Sequence, residues 1–409
     1  MTQIATGVFK QVRAARQSAL GTIAATGAAS AIQLRRTKST LDLNKATYKS
    51  AEILVSQQRR DFRHGVRSIA GTISGELSVG GYQMFCESIC RAVVSAADTT
   101  GVLTNVTAAV TVAPAGTFTR ATGSYLTDGF NLGDIVNWSG WATTGVNNNA
   151  NNFIITALTA TVMTCTPVGG ANAVAAKASG DSVTCVLVGK KTNLPPTGQV
   201  RHYYTIEHWF SDIAQDEVFT DCVISKVSVK MPATGMATID FDVMGLNVTT
   251  GTAAYFSAPA AAPTGGIEAS VNGLLVVQGA VVGLITSLNF DINGNYSVPG
   301  GVVGSNVDPD VFPGSVDVTG TATVLFQDAT FRDYFLNETE VSLYAVLTAN
   351  NTANSPFTAF KMPRVKFGSA TKSDDEKGLI LTANFTALEN TGIAAADLST
   401  IAIQDSAFS

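Results

Sequence analysis

Charge is scarce in this chain. Asp, Glu, Lys and Arg make up 14% of its 409 residues, and the only histidines are His64, His202 and His208. Helix-dominated soluble proteins carry more Glu, Lys, Arg and Leu than this, so an all-α fold is excluded. Long apolar runs are also missing. The best, residues 274–288, is broken by Gln278, Gly279, Gly283 and Thr286, and a membrane-spanning helix needs about 18 uninterrupted apolar residues. Residues 1–30 lack the apolar stretch of a secretory signal. The expectation is a cytoplasm-like setting, or a particle assembled there. The five cysteines, Cys86, Cys90, Cys165, Cys185 and Cys222, are odd in number, which argues against a disulfide framework. Cys86 and Cys90 share one helical face, but their spacing fits no zinc pattern. Buried thiols are expected.

The usual catalytic signatures are missing as well. The chain has no phosphate-binding loop, nucleophile elbow, His-Glu-x-x-His pair or dinucleotide fingerprint. His202 and His208 are an even number of positions apart on an extended segment, which puts them on one face. Two such side chains can bind a metal, but partly exposed sheet residues are the better reading. Asp308-Pro-Asp310 departs from the EF-hand loop after its second Asp. Asp374-Asp375-Glu376, between Lys372 and Lys377, reads as a solvated hairpin tip. No catalytic residue, cofactor or metal is assigned. The expectation is a structural or binding protein.

What the chain does have is Thr, Val, Ile and Phe in period-two alternation, punctuated by Gly and Asn. That pattern predicts a mainly β protein with sheets covered on one side, as in a sandwich or barrel. Residues 237–244 are the clearest case, with Ile239, Phe241 and Val243 on one face and Thr238, Asp240 and Asp242 on the other. Residues 82–97 and 327–337 are the exceptions, with helical spacing.

Charge is also uneven. Residues 1–70 carry +9 and the remainder −14, which gives the net −5. A basic start on an acidic body fits nucleic-acid contact or self-association. Phe9, Tyr48 and Phe62 are too scattered to interleave with the basic residues as a nucleic-acid reader would. Self-association is favoured, with Arg35, Arg36, Lys38, Arg59, Arg60 and Arg63 as inter-subunit contact candidates.

Four segments follow: an extended basic arm over 1–50, a first part of the main domain over 51–100, an inserted small β-domain over 101–188, and the rest of the main domain over 189–409. Within them, residues 51–55 and 65–77 read as strands joined by a polar, Arg-rich connection.

Three stretches carry a likeness to a known family. In residues 48–89 a strand, an Arg-rich loop with Asp61 and Arg63, a strand through Gly71 and Gly75, and a helix follow in order. In residues 118–168, Gly123-Ser124, Asp128-Gly129-Phe130 and Gly133-Asp134-Ile135-Val136 precede an Asn-rich loop. In residues 282–388, Ser287-Leu-Asn-Phe-Asp-Ile292, Val303-Gly304, Pro313-Gly314, Val318-Thr-Gly320, Phe326-Gln-Asp328 and Met362-Pro-Arg364 recur in order. On these motifs the chain resembles the large tail tube proteins of long, non-contractile (siphovirus-like) bacteriophage tails.

The resemblance implies a tube-type β-sandwich or barrel. It also implies hexameric rings that stack around a lumen conducting DNA during ejection, and a decoration role for the inserted domain. Implied partners are further copies of the chain, the tape measure, terminator and distal tail proteins, and DNA in passage. The implied location is the virion tail, assembled in the bacterial cytoplasm. An acidic lumen would repel DNA phosphates, with Asp240 and Asp242 as lumen-facing candidates. One alternative is a carbohydrate- or surface-binding β-sandwich that uses Tyr125, Trp138 and Trp141 as stacking residues. Another is a capsid-decorating or tail-terminator protein.

Overall fold

The computed structural model describes residues 4–95, 100–373 and 378–408. Its largest feature is an antiparallel sheet. In spatial order the strands are Asp42–Lys49, Phe62–Glu76, Thr238–Gly245, Gln215–Met231, Ile285–Asn293, Asp317–Leu325, Ile380–Ala387 and Phe357–Lys372. The predicted alternation of residues 237–244 holds. Ile239, Phe241 and Val243 are buried, while Thr238, Asp240 and Asp242 lie on the other face.

Two unusually long strands turn this sheet back over its own apolar face. Gln215–Met231 has 17 residues and Phe357–Lys372 has 16. The first half of Gln215–Met231 leaves the main sheet to pair with Tyr204–Phe210 and Asn247–Gly251. Its change of partner coincides with Asp221 at φ 55° and a register shift at Ile224/Lys226. Such irregularities bend a strand and let it serve two sheets. Phe357–Lys372 does the same, its first half pairing with Val341–Thr348 and Ala402–Asp405. The result is a mainly β sandwich around one large core.

Helix Gln83–Ile89 wedges into that core. Phe85 meets Phe241 of one layer at 5.0 Å and Tyr204 of the other at 5.6 Å between ring centroids. The helix is shorter than the periodicity predicts. Arg91, just beyond its end, has φ 51°, and residues 96–97 of the expected span lie outside the described residues. The second expected helix is present as Thr330–Leu336, with Tyr334 stacked on Phe367.

The first fifty residues differ from expectation. Lys10–Arg16 forms a strand along Tyr204–Phe210, with Val12, Ala14 and Ala15 buried. Asp42–Lys49 pairs with Phe62–Glu76. Backbone pairing and small buried side chains hold this segment in the fold, and hydrophobic periodicity is blind to both. Residues 51–55, expected as a strand, instead lie in the exposed loop of that hairpin.

Between Leu103 and Leu187 the chain closes a separate six-stranded barrel. The order is Val162–Pro167, Gly116–Thr119, Leu103–Val110, Lys177–Leu187, Ile135–Ser139 and Asn152–Leu158. It has its own core, built on Phe118, Tyr125, Phe130, Trp138, Trp141 and Phe153. Gly140 is required where it sits: its φ is +94°, and an added Cβ would lie 2.7 Å from the Ser182 carbonyl oxygen. The Asn-rich loop includes a short 3-10 turn, Thr143–Asn148.

Candidate assembly surfaces

The polar face of the main sheet is built in rows by strand register. One row reads Ser74, Asp240, Ser228, Asp291, Thr319, Thr386 across six strands. The next reads Glu76, Thr238, Lys230, Asn289, Thr321, Asn384, and a third reads Thr72, Asp242, Lys226, Asn293, Asp317. None of these side chains is aromatic or aliphatic. The apolar partners at the alternate positions, such as Val227, Val229, Phe290, Ile292, Val318 and Phe385, are buried in the core. A two-residue period forces this division.

Asp240 and Asp242 therefore share one surface, but neither stands alone. Lys230 Nζ donates to Asp240 Oδ2 at 2.9 Å, and Thr72 Oγ1 donates to Asp242 Oδ1 at 2.6 Å. Lys226 pairs with Asp291 at 2.9 Å. Burial pushes the Asp240 carboxyl up, but the bonds from Ser74 and Lys230 outweigh it and hold it below its ordinary value. Thr321 Oγ1 donates to Asn384 Oδ1 at 2.8 Å, and Asn384 Nδ2 donates to Ser369 Oγ at 3.0 Å. The three rows hold the carboxylates Glu76, Asp240, Asp242, Asp291 and Asp317 against the amines Lys226 and Lys230. The face is hydrophilic and acidic, with much of its charge locally paired.

A second surface is the hairpin of Asp42–Lys49 and Phe62–Glu76. Its loop carries Ile53 and Val55 fully exposed, flanked by exposed Tyr48 and Phe62. Arg59, Arg60 and Arg63 lie here in the open, and among the described residues Arg63 pairs with Asp61 at 2.9 Å. The other three basic candidates lie elsewhere. Lys38 is exposed beside Ser74. Arg35 donates to the Gly265 carbonyl at 2.5 Å, and Arg36 donates to the carbonyls of Gly7 and Lys10. The six candidates do not form one patch, and Arg35, Arg36 and Arg63 are engaged within the chain.

The histidines do not come together either. His208 is buried, with Nε2 3.0 Å from Ser39 Oγ; His202 lies outside the strand, its Nε2 3.3 Å from the Ala92 carbonyl. Burial lowers the pKa of both. The expectation of partly exposed sheet residues fails: His208 is on Tyr204–Phe210, a central strand covered on both faces, and His202 is buried outside any strand. Glu207 on that strand accepts from the Tyr255 and Phe256 amides at 2.7 and 3.3 Å, and from Arg13. Asp310 is taken up by Arg201 and Tyr203 at 3.0 and 3.1 Å. The 374–376 tip lies outside the described residues. All five cysteines are free and buried.

Tyr125, Trp138 and Trp141 are buried inside the small barrel. They pack on one another and on Phe118, so they cannot stack on a surface ligand. Sequence reasoning missed the join between barrel and sandwich, where Asp134, Lys191, Lys361 and Asp397 form a buried ring of ion pairs. The signal was there in Lys361, the one charge in the stretch 357–363, and in Asp134 at the head of Ile135–Ser139.

A family model described as phage tail tube protein matches residues 10–387. The chain belongs to the phage tail tube protein family. No curated protein matches it. The matched span takes in the strand Lys10–Arg16, the small barrel and every strand of the main sheet. This tail tube protein is thus a structural component of a phage tail, which assembles with copies of itself and other tail proteins into a tube. Among its described residues, no helix is long and apolar enough to cross a membrane.

Proposed function

We propose that this tail tube protein is the major subunit of a long, non-contractile tail. It forms hexameric rings stacked around a lumen that conducts DNA during ejection. The observation that carries this reading is the set of polar rows across the main sheet. A surface on which a polyanion must slide needs to be hydrophilic, without cationic clusters that would hold phosphates. The rows meet that need. Threonine, serine and asparagine fill most positions, and each lysine is paired with a carboxylate. Asp240 and Asp242 face the lumen in this arrangement as members of a larger polar wall.

Stacking uses the projecting hairpin. A contact between unlike surfaces on successive rings propagates along an axis without closing. Exposed Ile53 and Val55, with Arg59, Arg60 and Arg63 alongside, supply one such surface, and Lys38 adds a further exposed cation. The small barrel over 103–187, joined at one side of the sandwich, sits outside as a decoration. Tape measure, terminator and distal tail proteins are the remaining partners, with assembly in the host cytoplasm before incorporation into the virion.

Negative-stain microscopy of the purified chain tests this directly. The reading predicts rings or long hollow filaments. A capsid-decorating or terminator protein would not polymerise axially, and a population of monomers alone would overturn the proposal.

A further inference from the structure

The ring of charges between barrel and sandwich has the makings of a covalent bond. Lys361 Nζ contacts Asp134 Oδ1 and lies 2.6 Å from Asp397 Oδ2. Lys191 Nζ lies 3.1 and 3.4 Å from the two Asp134 oxygens and 3.3 Å from Asp397 Oδ1. Asn131 closes the site, donating its amide to Asp134 Oδ2 at 2.8 Å and its Nδ2 to Asp397 Oδ1 at 3.2 Å. Lys361 and Asp134 are wholly buried, and Lys191 and Asp397 nearly so. Ile135, next to Asp134, belongs to an apolar cluster with Ile154, Tyr344, Phe357 and Ala359.

We propose that Lys361 and Asp134 condense into an intramolecular isopeptide bond that ties the small barrel to the sandwich. The fold holds the Lys361 amine against the Asp134 carboxyl, so the two groups need no encounter before they react. Lys361 passes one proton to Asp134 across their contact. The amine lone pair then attacks Asp134 Cγ, and the C–N bond forms as the carbonyl π electrons move to oxygen. Lys191 donates to the Asp134 oxygens and stabilises the negative charge that develops there.

Asp397 is the proton carrier. As the C–N bond forms, its carboxylate takes the second proton from nitrogen, then returns it to the departing hydroxyl, which leaves as water. The balance is one amine and one carboxylic acid giving one amide and one water, so no oxidant, nucleotide or metal is needed. Asp397 and Lys191 end as they began, a carboxylate and an ammonium. Two features set this cluster apart from an ordinary ion pair: complete burial of both reacting groups, and a second carboxylate on the nucleophile.

The inference is independent of tube formation, since it concerns bonds within one chain. Its test is denaturing mass spectrometry of the full chain with peptide mapping. The expected result is a branched peptide joining Lys361 to Asp134, with loss of one water. Lys361→Met should restore two linear peptides. Asp397→Asn should leave Lys361 and Asp134 in place but unjoined. If either variant fails to fold, the natural chain still decides. Recovery of only the unmodified Lys361 and Asp134 peptides from folded protein overturns the proposal, as would a water loss that maps elsewhere.

Discussion

Lys230 and Asp240 face each other across adjacent strands, amine to carboxylate at 2.9 Å. Lys226 and Asp291 repeat the arrangement one strand away at the same distance. If this face lines the lumen, as proposed, these pairs change the meaning of an acidic wall. Carboxylates outnumber amines, but each amine is held by an acid, so the wall offers DNA no free cation in its polar rows. The Lys230–Asp240 pair is also largely solvated, and exposed pairs contribute about 0–1 kcal/mol.

A cation added to this wall should therefore act on DNA and not on folding. Thr321→Lys places an amine in the row with Lys230 and Asn289. Phage carrying it should assemble tails but eject DNA slowly at low salt, and recover as ionic strength rises. Asp240→Asn should shift unfolding by less than about 1 kcal/mol. An ejection assay across a salt series checks the first, and denaturant unfolding the second. Salt-independent ejection by Thr321→Lys would place this face elsewhere.

Phe241 tests the sandwich core. It is buried between Tyr82 and Phe85, with ring centroids at 5.1 and 5.0 Å. Phe241→Ala should cost about 3–5 kcal/mol, the usual range for emptying a large aromatic site. Urea unfolding of the unassembled subunit would show it as a lower midpoint with an unchanged slope.

Asp405 should give stability a definite pH dependence. Burial pushes its carboxyl from the ordinary 3.8 up to about 6, despite bonds from the Gly80 and Ala407 amides and from Thr358. Glu268 beside it is driven well above the usual carboxylate range, chiefly by burial. The folded chain thus holds the Asp405 proton more tightly than the unfolded chain. Its contribution is fully present below about pH 4 and is lost as pH rises through about 6, a fall of about 3 kcal/mol. Melting curves of the natural chain and Asp405→Asn should diverge across that window at constant ionic strength. Parallel curves would refute the assignment.

The hairpin tip should matter for assembly alone. Ile53 and Val55 touch little of their own subunit, so Ile53→Asp with Val55→Asp should change stability by no more than about 0.5 kcal/mol. Tube length, measured on micrographs, should collapse to single rings or short stacks. Normal-length tubes from the double variant would remove the tip from the stacking interface.

Much of this fold was legible in the chain because two-residue alternation marks any strand with one dry face. Residues 237–244 announced themselves in this way, as did the Gly- and Asn-punctuated barrel. Lys10–Arg16 stayed hidden. Its buried residues are Val, Arg and two alanines, and its place is set by pairing with residues some two hundred positions away. His208 was misjudged for a related reason: alternation shows which residues share a face, but not whether a second layer covers it. The charge ring at Lys361 was visible only as lone charges in apolar runs, since its four members come from distant parts of the sequence. Which arginines stay free was equally illegible. Arg35 and Arg59 look alike in sequence, yet one is tied to Gly265 and the other lies in the open hairpin loop.

Helical reconstruction of the assembled polymer tests the central claim most directly. The account predicts stacked rings with Asp240, Asp291, Thr321 and Asn384 on the inner wall, the hairpin tip at Ile53 between rings, and the small barrel outside. A reconstruction with that polar face on the outer surface, or with the barrel in the lumen, would contradict it.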